Sequence, residues 1–357
     1  MIRFNIGRVV GAMAGAALMS MGCATMTAQT GAQYARSPCA APPRYACPDA
    51  KDCPADARTF LGEATEFKTQ RTFFLDYPCD LKPGEKVAFI LNLHGAGSIG
   101  NWQRSYFPAA DYTSKYRLVV ATPTALTERP GANGAAGTRV WTAEADDAYL
   151  QNIVDTVMQQ FGRQNIKTFW LVGHSQGGLT SRRIVCSDYF KDKVDGFVSL
   201  SGGRVGTPAR VAAGVAPLVP PAAGAPPAPA AAPAPLPTCD FSFIFDIGER
   251  EPSSATATDQ SEWAAKYACG PRVRKPDVVD KKAGYVTATD QSRGPSWGTT
   301  ARPGTAQVYA FDGCKDGRVV ADVIRMEKGH TEGLEPLVTQ KILDMMMSAK
   351  GGKLNGG

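Results

Sequence analysis

Short apolar runs recur along this chain, with helical patterns between them. Val87–Leu93, Leu118–Thr122, Thr168–Val172, Gly196–Leu200 and Phe241–Phe245 are each almost unbroken. A strand with one face in water alternates apolar and polar residues, whereas an unbroken run needs cover on both faces. Pro123 stops the second run. Between the second and third, Leu150, Ile153, Val154, Val157, Met158 and Phe161 fall at helical spacing. Asp147 is placed to cap the start of that helix, and Gly162 to end it. Strands that alternate with helices predict an α/β chain, with a mostly parallel central sheet and helices on both faces. The regular part, residues 59–350, reads as one domain.

Three stretches fall outside this pattern. Arg3 and Arg8 precede the apolar stretch Val9–Met21, which is too short to span a bilayer. Residues 1–22 therefore read as an export signal. Cleavage near Ala24 or Ala28 is one outcome; a lipid anchor on Cys23 is the other, although Ser20 stands where lipoprotein signals usually have Leu. The expected location is outside the cytosol: periplasmic, secreted or anchored at the outer membrane. Residues 23–58 form an arm rich in Pro, Ala and Cys, with no periodicity. Residues 207–238 are almost entirely Ala, Pro, Gly and Val, and proline removes the donors that helix or strand would need. A strand pattern on each side makes this an insertion within the sheet. An inert surface loop is the plainer reading; a flap over the site is the other.

Composition narrows the classes. The nine cysteines include Cys23, and the eight that remain suffice for four bridges in an oxidising compartment. Zinc is disfavoured, because no C-x-x-C pair exists and the three His residues lie elsewhere. The net charge of +6 is scattered, with no basic face of the kind that grips nucleic acid.

The candidate chemistry lies at Gly173-His174-Ser175-Gln176-Gly177-Gly178, between the third apolar run and the helical stretch Leu179–Val185. Strand, sharp turn, helix is the order a nucleophile elbow needs: small residues flank a Ser whose hydroxyl is pushed out above the sheet. Such a hydroxyl needs a base. His174 is the neighbour of Ser175, so its ring points away. His94 opens Leu93-His94-Gly95-Ala96-Gly97-Ser98, at the place of an oxyanion loop; there the N–H of Ala96 or Gly97 would pair with that of Gln176. His330 remains as the base, after the strand pattern Val319–Met326. The acid should follow Phe241–Ile247, where Glu251, Glu249 and Asp246 compete; Glu251 leads because it lies three residues past Gly248. Trp141 and Trp297 are candidates for stacking on substrate; Trp102 is a weaker one, and burial is the alternative for all three. The mechanism needs no cofactor and no metal. A non-catalytic binding protein on the same fold is the rival class, and it predicts a missing member of this set.

These residues resemble the secreted α/β-hydrolases that include polyhydroxybutyrate depolymerases and feruloyl esterases, over roughly Thr59 to Met347. Four segments carry the resemblance: His94-Gly95-Ala96-Gly97 with Asn101-Trp102 and Ala109-Ala110-Asp111; Trp141 ahead of Asp146-Asp147; the elbow; and Cys314-Lys315-Asp316-Gly317 followed by Gly329-His330-Thr331. It implies esterase-type chemistry and a Cys269–Cys314 bridge. The acid segment departs from the usual Gly-x-x-Asp, and the Ala/Pro insertion is foreign to the pattern. A narrower resemblance is to oxidised polyvinyl alcohol hydrolases, which cut a carbon–carbon bond between two ketones. The substrate implied is a small molecule or polymer with ester or diketone groups.

Overall fold

The apolar runs become the centre of a ten-stranded sheet. The computed structural model describes residues 63–66, 68–78, 80–129, 138–206, 235–257, 260–286 and 294–356. The export signal, the Cys/Pro-rich arm and most of the Ala/Pro insertion lie outside these residues.

Twelve strands are present among them: β1 Glu63–Thr65, β2 Thr72–Asp76, β3 Val87–Leu93, β4 Leu118–Pro123, β5 Thr127–Arg129, β6 Thr138–Val140, β7 Ile166–His174, β8 Gly196–Leu200, β9 Ser242–Gly248, β10 Arg272–Asp280, β11 Gly304–Phe311 and β12 Val320–Arg325. Six helices accompany them: α1 Gly100–Tyr106, α2 Thr113–Tyr116, α3 Ala143–Phe161, α4 Gln176–Ile184, α5 Glu262–Lys266 and α6 Pro336–Ser348. The order in the main sheet is β1-β2-β4-β3-β7-β8-β9-β12-β11-β10. Strands β4, β3, β7, β8, β9 and β12 run parallel. Antiparallel pairs flank them, β1–β2 on one side and β11–β10 on the other. This is the α/β-hydrolase arrangement.

The unbroken runs are covered on both faces, as their composition requires. Along β3 the side chains alternate. Val87, Phe89, Leu91 and Leu93 join one core, with Leu150, Ile153, Val154 and Val157 of α3 and Ile184 of α4. Ala88 and Ile90 join the other core, with Val338, Ile342, Leu343 and Met346 of α6. Successive residues of a strand point to opposite faces, so one strand feeds two cores.

Helix α3 starts four residues before Asp147. Its cap is Thr142, whose hydroxyl accepts from the Ala145 N–H. Asp146 is drawn inward to Arg71 at 2.9 Å, and Asp147 outward to Arg183 of α4 at 2.6 Å. Asp147 looks like the cap in the sequence, but Arg183 claims it, while Asp146 also accepts from the Thr142 N–H at 3.1 Å. Gly162 ends the helix at φ +81°. The strands differ from their apolar runs only at the ends: β7 extends to His174 and β9 to Gly248. The packed chain also runs past residue 350, where Leu354 is buried and the Lys353 N–H donates to Asp195.

Two disulfides join described residues, Cys186–Cys239 and Cys269–Cys314; the second is the pair implied by resemblance. Cys186 and Cys239 lie 53 residues apart and bracket the Ala/Pro insertion. A cross-link of that span restricts the unfolded chain strongly. Replacing both by Ser is expected to lower the unfolding free energy in urea by roughly 2–5 kcal/mol. An unchanged midpoint would show that packing alone holds the two ends.

Candidate active site

Parallel strands bring their carboxyl ends to one edge of a sheet, and loops there converge. The sequence-selected residues all sit at that edge: His94 after β3, Ser175 after β7, Glu251 after β9 and His330 after β12. At the end of β7 the chain turns so sharply that Ser175 adopts φ +50° and ψ −117°. A residue with a Cβ pays about 1–3 kcal/mol for such a conformation. Glycines permit the approach around it. A Cβ on Gly177 would lie 2.3 Å from the Leu93 carbonyl oxygen, and one on Gly173 would lie 2.3 Å from the Gly177 backbone. The Ser175 N–H donates to the Leu200 carbonyl at 2.8 Å, which ties the turn to β8.

Three side chains meet in a line. Ser175 Oγ is 2.9 Å from His330 Nε2, and His330 Nδ1 is 2.6 Å from Glu251 Oε2. Glu251 Oε1 accepts from Ser201 Oγ at 2.7 Å and from the Gly248 N–H at 2.9 Å. Burial works to raise the pKa of Glu251. Attraction to His330 and the hydrogen bonds from His330, Ser201 and Gly248 outweigh it, and the carboxyl is held below its ordinary value. The arrangement can therefore keep a carboxylate against one ring nitrogen while the other faces a hydroxyl.

The rival acids are occupied elsewhere. Asp246 is buried and pairs with Arg325 Nε at 3.1 Å. Burial pushes its carboxyl up to about 7, against the pull of Arg325. Glu249 points outward and accepts from the Glu327 N–H at 2.8 Å. His330 Nδ1 pairs with Glu251 and not with either of these.

The loop after β3 lies over the elbow: a Cβ on Gly95 would sit 3.2 Å from Ser175 Cβ. Of the two oxyanion candidates there, the Gly97 N–H already donates to the Arg139 carbonyl at 2.9 Å, which favours Ala96. Gln176 heads α4, and its side chain bonds both ways with the Trp141 backbone, at 3.0 and 3.3 Å. Trp141 itself departs from the expected stacking role. It is buried, tilted over His94 at 4.7 Å, and its indole N–H donates to the His94 carbonyl at 2.8 Å. Its ring is used to hold the loop. Trp102 is half-buried on α1. Trp297 is 38% exposed and stands edge-on to the His330 ring at 5.3 Å.

Sequence reasoning missed Ser201 and Tyr106. Ser201 follows β8, the strand beside the elbow, and that position was the only available signal. The Tyr106 hydroxyl donates to the His330 carbonyl at 3.2 Å, from a helix 224 residues away in sequence. The other two histidines are buried. His94 Nε2 accepts from the Ala125 N–H at 3.0 Å, and its Nδ1 faces the Gly95 carbonyl at 2.7 Å. His174 Nε2 lies 2.9 Å from the His330 carbonyl oxygen. Among the described residues, no group of three or more His, Cys, Asp or Glu is placed to hold a metal ion, and no helix is long and apolar enough to cross a membrane.

No protein-family model matches the chain, and no curated protein matches it. Solved structures do. An acetyl xylan esterase from Aspergillus awamori is 10% identical, with 78% of this chain and 94% of that one covered, at a TM-score of 0.45. A mutant of the feruloyl esterase module from Clostridium thermocellum, complexed with sinapinate, is 16% identical, with 52% and 65% covered, at 0.32. SOBER1 from Arabidopsis thaliana is 16% identical, with 48% and 80% covered, at 0.30. These likenesses concern the fold alone.

The buried histidines make stability depend on acid. Burial lowers the pKa of His94 from 6.5 to about 4, so the folded chain refuses a proton that the unfolded chain takes up. The stability this group supplies is complete above 6.5 and is lost as pH falls through about 4. That loss is about 3 kcal/mol for His94. Burial lowers the pKa of His174 in the same direction. Urea midpoints measured from pH 7 to 4 should fall accordingly, and His94→Gln should flatten the slope while lowering the plateau.

Proposed function

We propose that this chain is a serine hydrolase that cleaves a bond next to a carbonyl through an acyl-enzyme. The alignment of Ser175 Oγ, the His330 ring and Glu251 at 2.9 and 2.6 Å carries this reading. Ser175 attacks the carbonyl carbon while His330 Nε2 takes the hydroxyl proton. Glu251 fixes the imidazole so that its Nδ1–H points at the carboxylate, and it steadies the imidazolium that forms. The negative oxygen of the tetrahedral intermediate is met by the N–H groups of Ala96 and Gln176, the latter at the start of α4. Collapse expels the leaving group, which receives the proton from His330. Water, activated by the same ring, then frees Ser175.

With an ester the leaving group is an alcohol. With a 1,3-diketone it is an enolate: the carbon–carbon bond breaks, His330 protonates the carbon and a ketone departs. The same residues serve both reactions, so oxidised polyvinyl alcohol and esters of the feruloyl or polyester kind are both proposed substrates. Trp297, exposed beside His330, offers an apolar wall to a polymer backbone or an aromatic acyl group. Export to an oxidising compartment is supported by the two disulfides.

Turnover of a p-nitrophenyl ester series and of a soluble 1,3-diketone tests the reading. Ser175→Ala should abolish turnover of whichever class is used. Glu251→Gln should lower kcat by about 10³–10⁴-fold, whereas Glu249→Gln should leave it within about twofold. Equal losses from Glu249→Gln and Glu251→Gln would remove Glu251 from the mechanism. A diketone rate no better than that of Ser175→Ala would restrict the chain to esters.

A further inference from the structure

The proposed chemistry makes no use of His174, although it is bonded directly to Ser175. Its ring is buried and stacks on Tyr106, with centroids 3.9 Å apart and planes at 28°. Its Nε2 lies 2.9 Å from the carbonyl oxygen of His330. A carbonyl can only accept, so Nε2 carries the proton and donates it. The Tyr106 hydroxyl donates to the same oxygen at 3.2 Å. Tyr106 is held in turn by Arg325 Nη2 at 3.3 Å, and Arg325 by Asp246 and by the Glu332 carbonyl at 2.6 Å.

Two consecutive residues of the elbow thus hold two ends of one residue. Ser175 meets the His330 ring, and His174 meets the His330 carbonyl. We propose that His174 is a positioning residue whose Nε2–H tethers the His330 backbone to the elbow, with Tyr106 as a second tether, so that base and nucleophile keep register. The inference rests on the serine hydrolase reading of Ser175 and His330.

A neutral donor suits this place. The His174 ring centroid is 4.9 Å from that of His330, which becomes cationic during the reaction. A second cation there would oppose it. Burial, and then the charge of His330, hold the pKa of His174 well below its ordinary value, so the ring stays neutral. Space limits the other nitrogen too: a Cβ on Gly95 would lie 2.7 Å from His174 Nδ1. On its other side the His330 loop is held by the His330 and Thr331 N–H groups, which donate to the Ser296 and Trp297 carbonyls at 2.9 and 2.7 Å, and a displacement of about 1 Å in a reacting group can cost about 10²-fold in rate.

Four variants of the full chain test the tether: His174→Phe, which keeps the stacking and loses the donor; His174→Gln, whose amide reaches the position of Nε2; His174→Asn, whose amide falls short; and Tyr106→Phe. The readouts are kcat and KM on one p-nitrophenyl ester, the rate of fluorophosphonate labelling, and the melting temperature. His174→Phe should lower kcat by roughly 10–100-fold with KM within about twofold, and labelling should slow in parallel. His174→Gln should recover most of that loss, and Tyr106→Phe should cost about 2–10-fold. A folded His174→Phe that matches wild type, or a His174→Gln no faster than His174→Phe, overturns the inference. If His174→Phe does not fold, Gln against Asn decides: equal rates overturn it, and a slow Asn variant supports it. Wild type that resists labelling would sink the hydrolase reading itself, whatever the variants do.

Discussion

The close approach of three backbones at the elbow governs the rest of the site. Strand β7, the head of α4 and the end of β3 come so near that a single added carbon at Gly177 would collide with the Leu93 carbonyl. Within that space Ser175 is forced to positive φ, and its hydroxyl is lifted above the sheet. The same approach brings the Gly95–Ala96 loop over the serine and sets the start of α4 beneath it. Relaxing the turn would separate hydroxyl, loop and helix together. Its strain is borne by the sheet: the Ser175 N–H is bonded to β8, and both faces of β3 and β7 are packed.

The three histidines around this turn have different surroundings. His94 and His174 are buried and kept neutral, one bonded to a backbone N–H and the other to a carbonyl. His330 alone of the three meets both a carboxylate and a hydroxyl. The loop that bears it is braced by buried ion pairs, Arg325–Asp246 at its root and Lys328–Glu335 at 2.6 Å beside it. Such pairs add little net stability, because desolvation offsets their attraction, but losing one partner is costly. Their value here is in fixing where the loop lies.

Much of this was legible in the chain. Unbroken runs such as Val87–Leu93 and Gly196–Leu200 announced strands covered on both faces, and three histidines made the search for a partner of Ser175 short. The β10–β11 hairpin was not legible, since an edge strand carrying Arg274, Lys275 and Pro276 has no unbroken apolar run. Nor was the start of α3, where Asp147 mimics a cap until Arg183 claims it. Among Asp246, Glu249 and Glu251, spacing favoured the last, yet only the fold brings Glu251 to His330 and sends Asp246 to Arg325. Trp141 shows the limit most clearly. Nothing in the sequence distinguishes a ring that faces substrate from one that fastens the loop above the elbow.

The claim at the centre is a covalent intermediate on Ser175. Rapid mixing with a p-nitrophenyl acetate excess, acid quenching and peptide mass mapping test it directly. The account predicts a burst of p-nitrophenol with a stoichiometry near one, and an acetyl group on the peptide that contains Ser175. Hydrolysis without a burst and without that adduct, or an adduct on another residue, would contradict it.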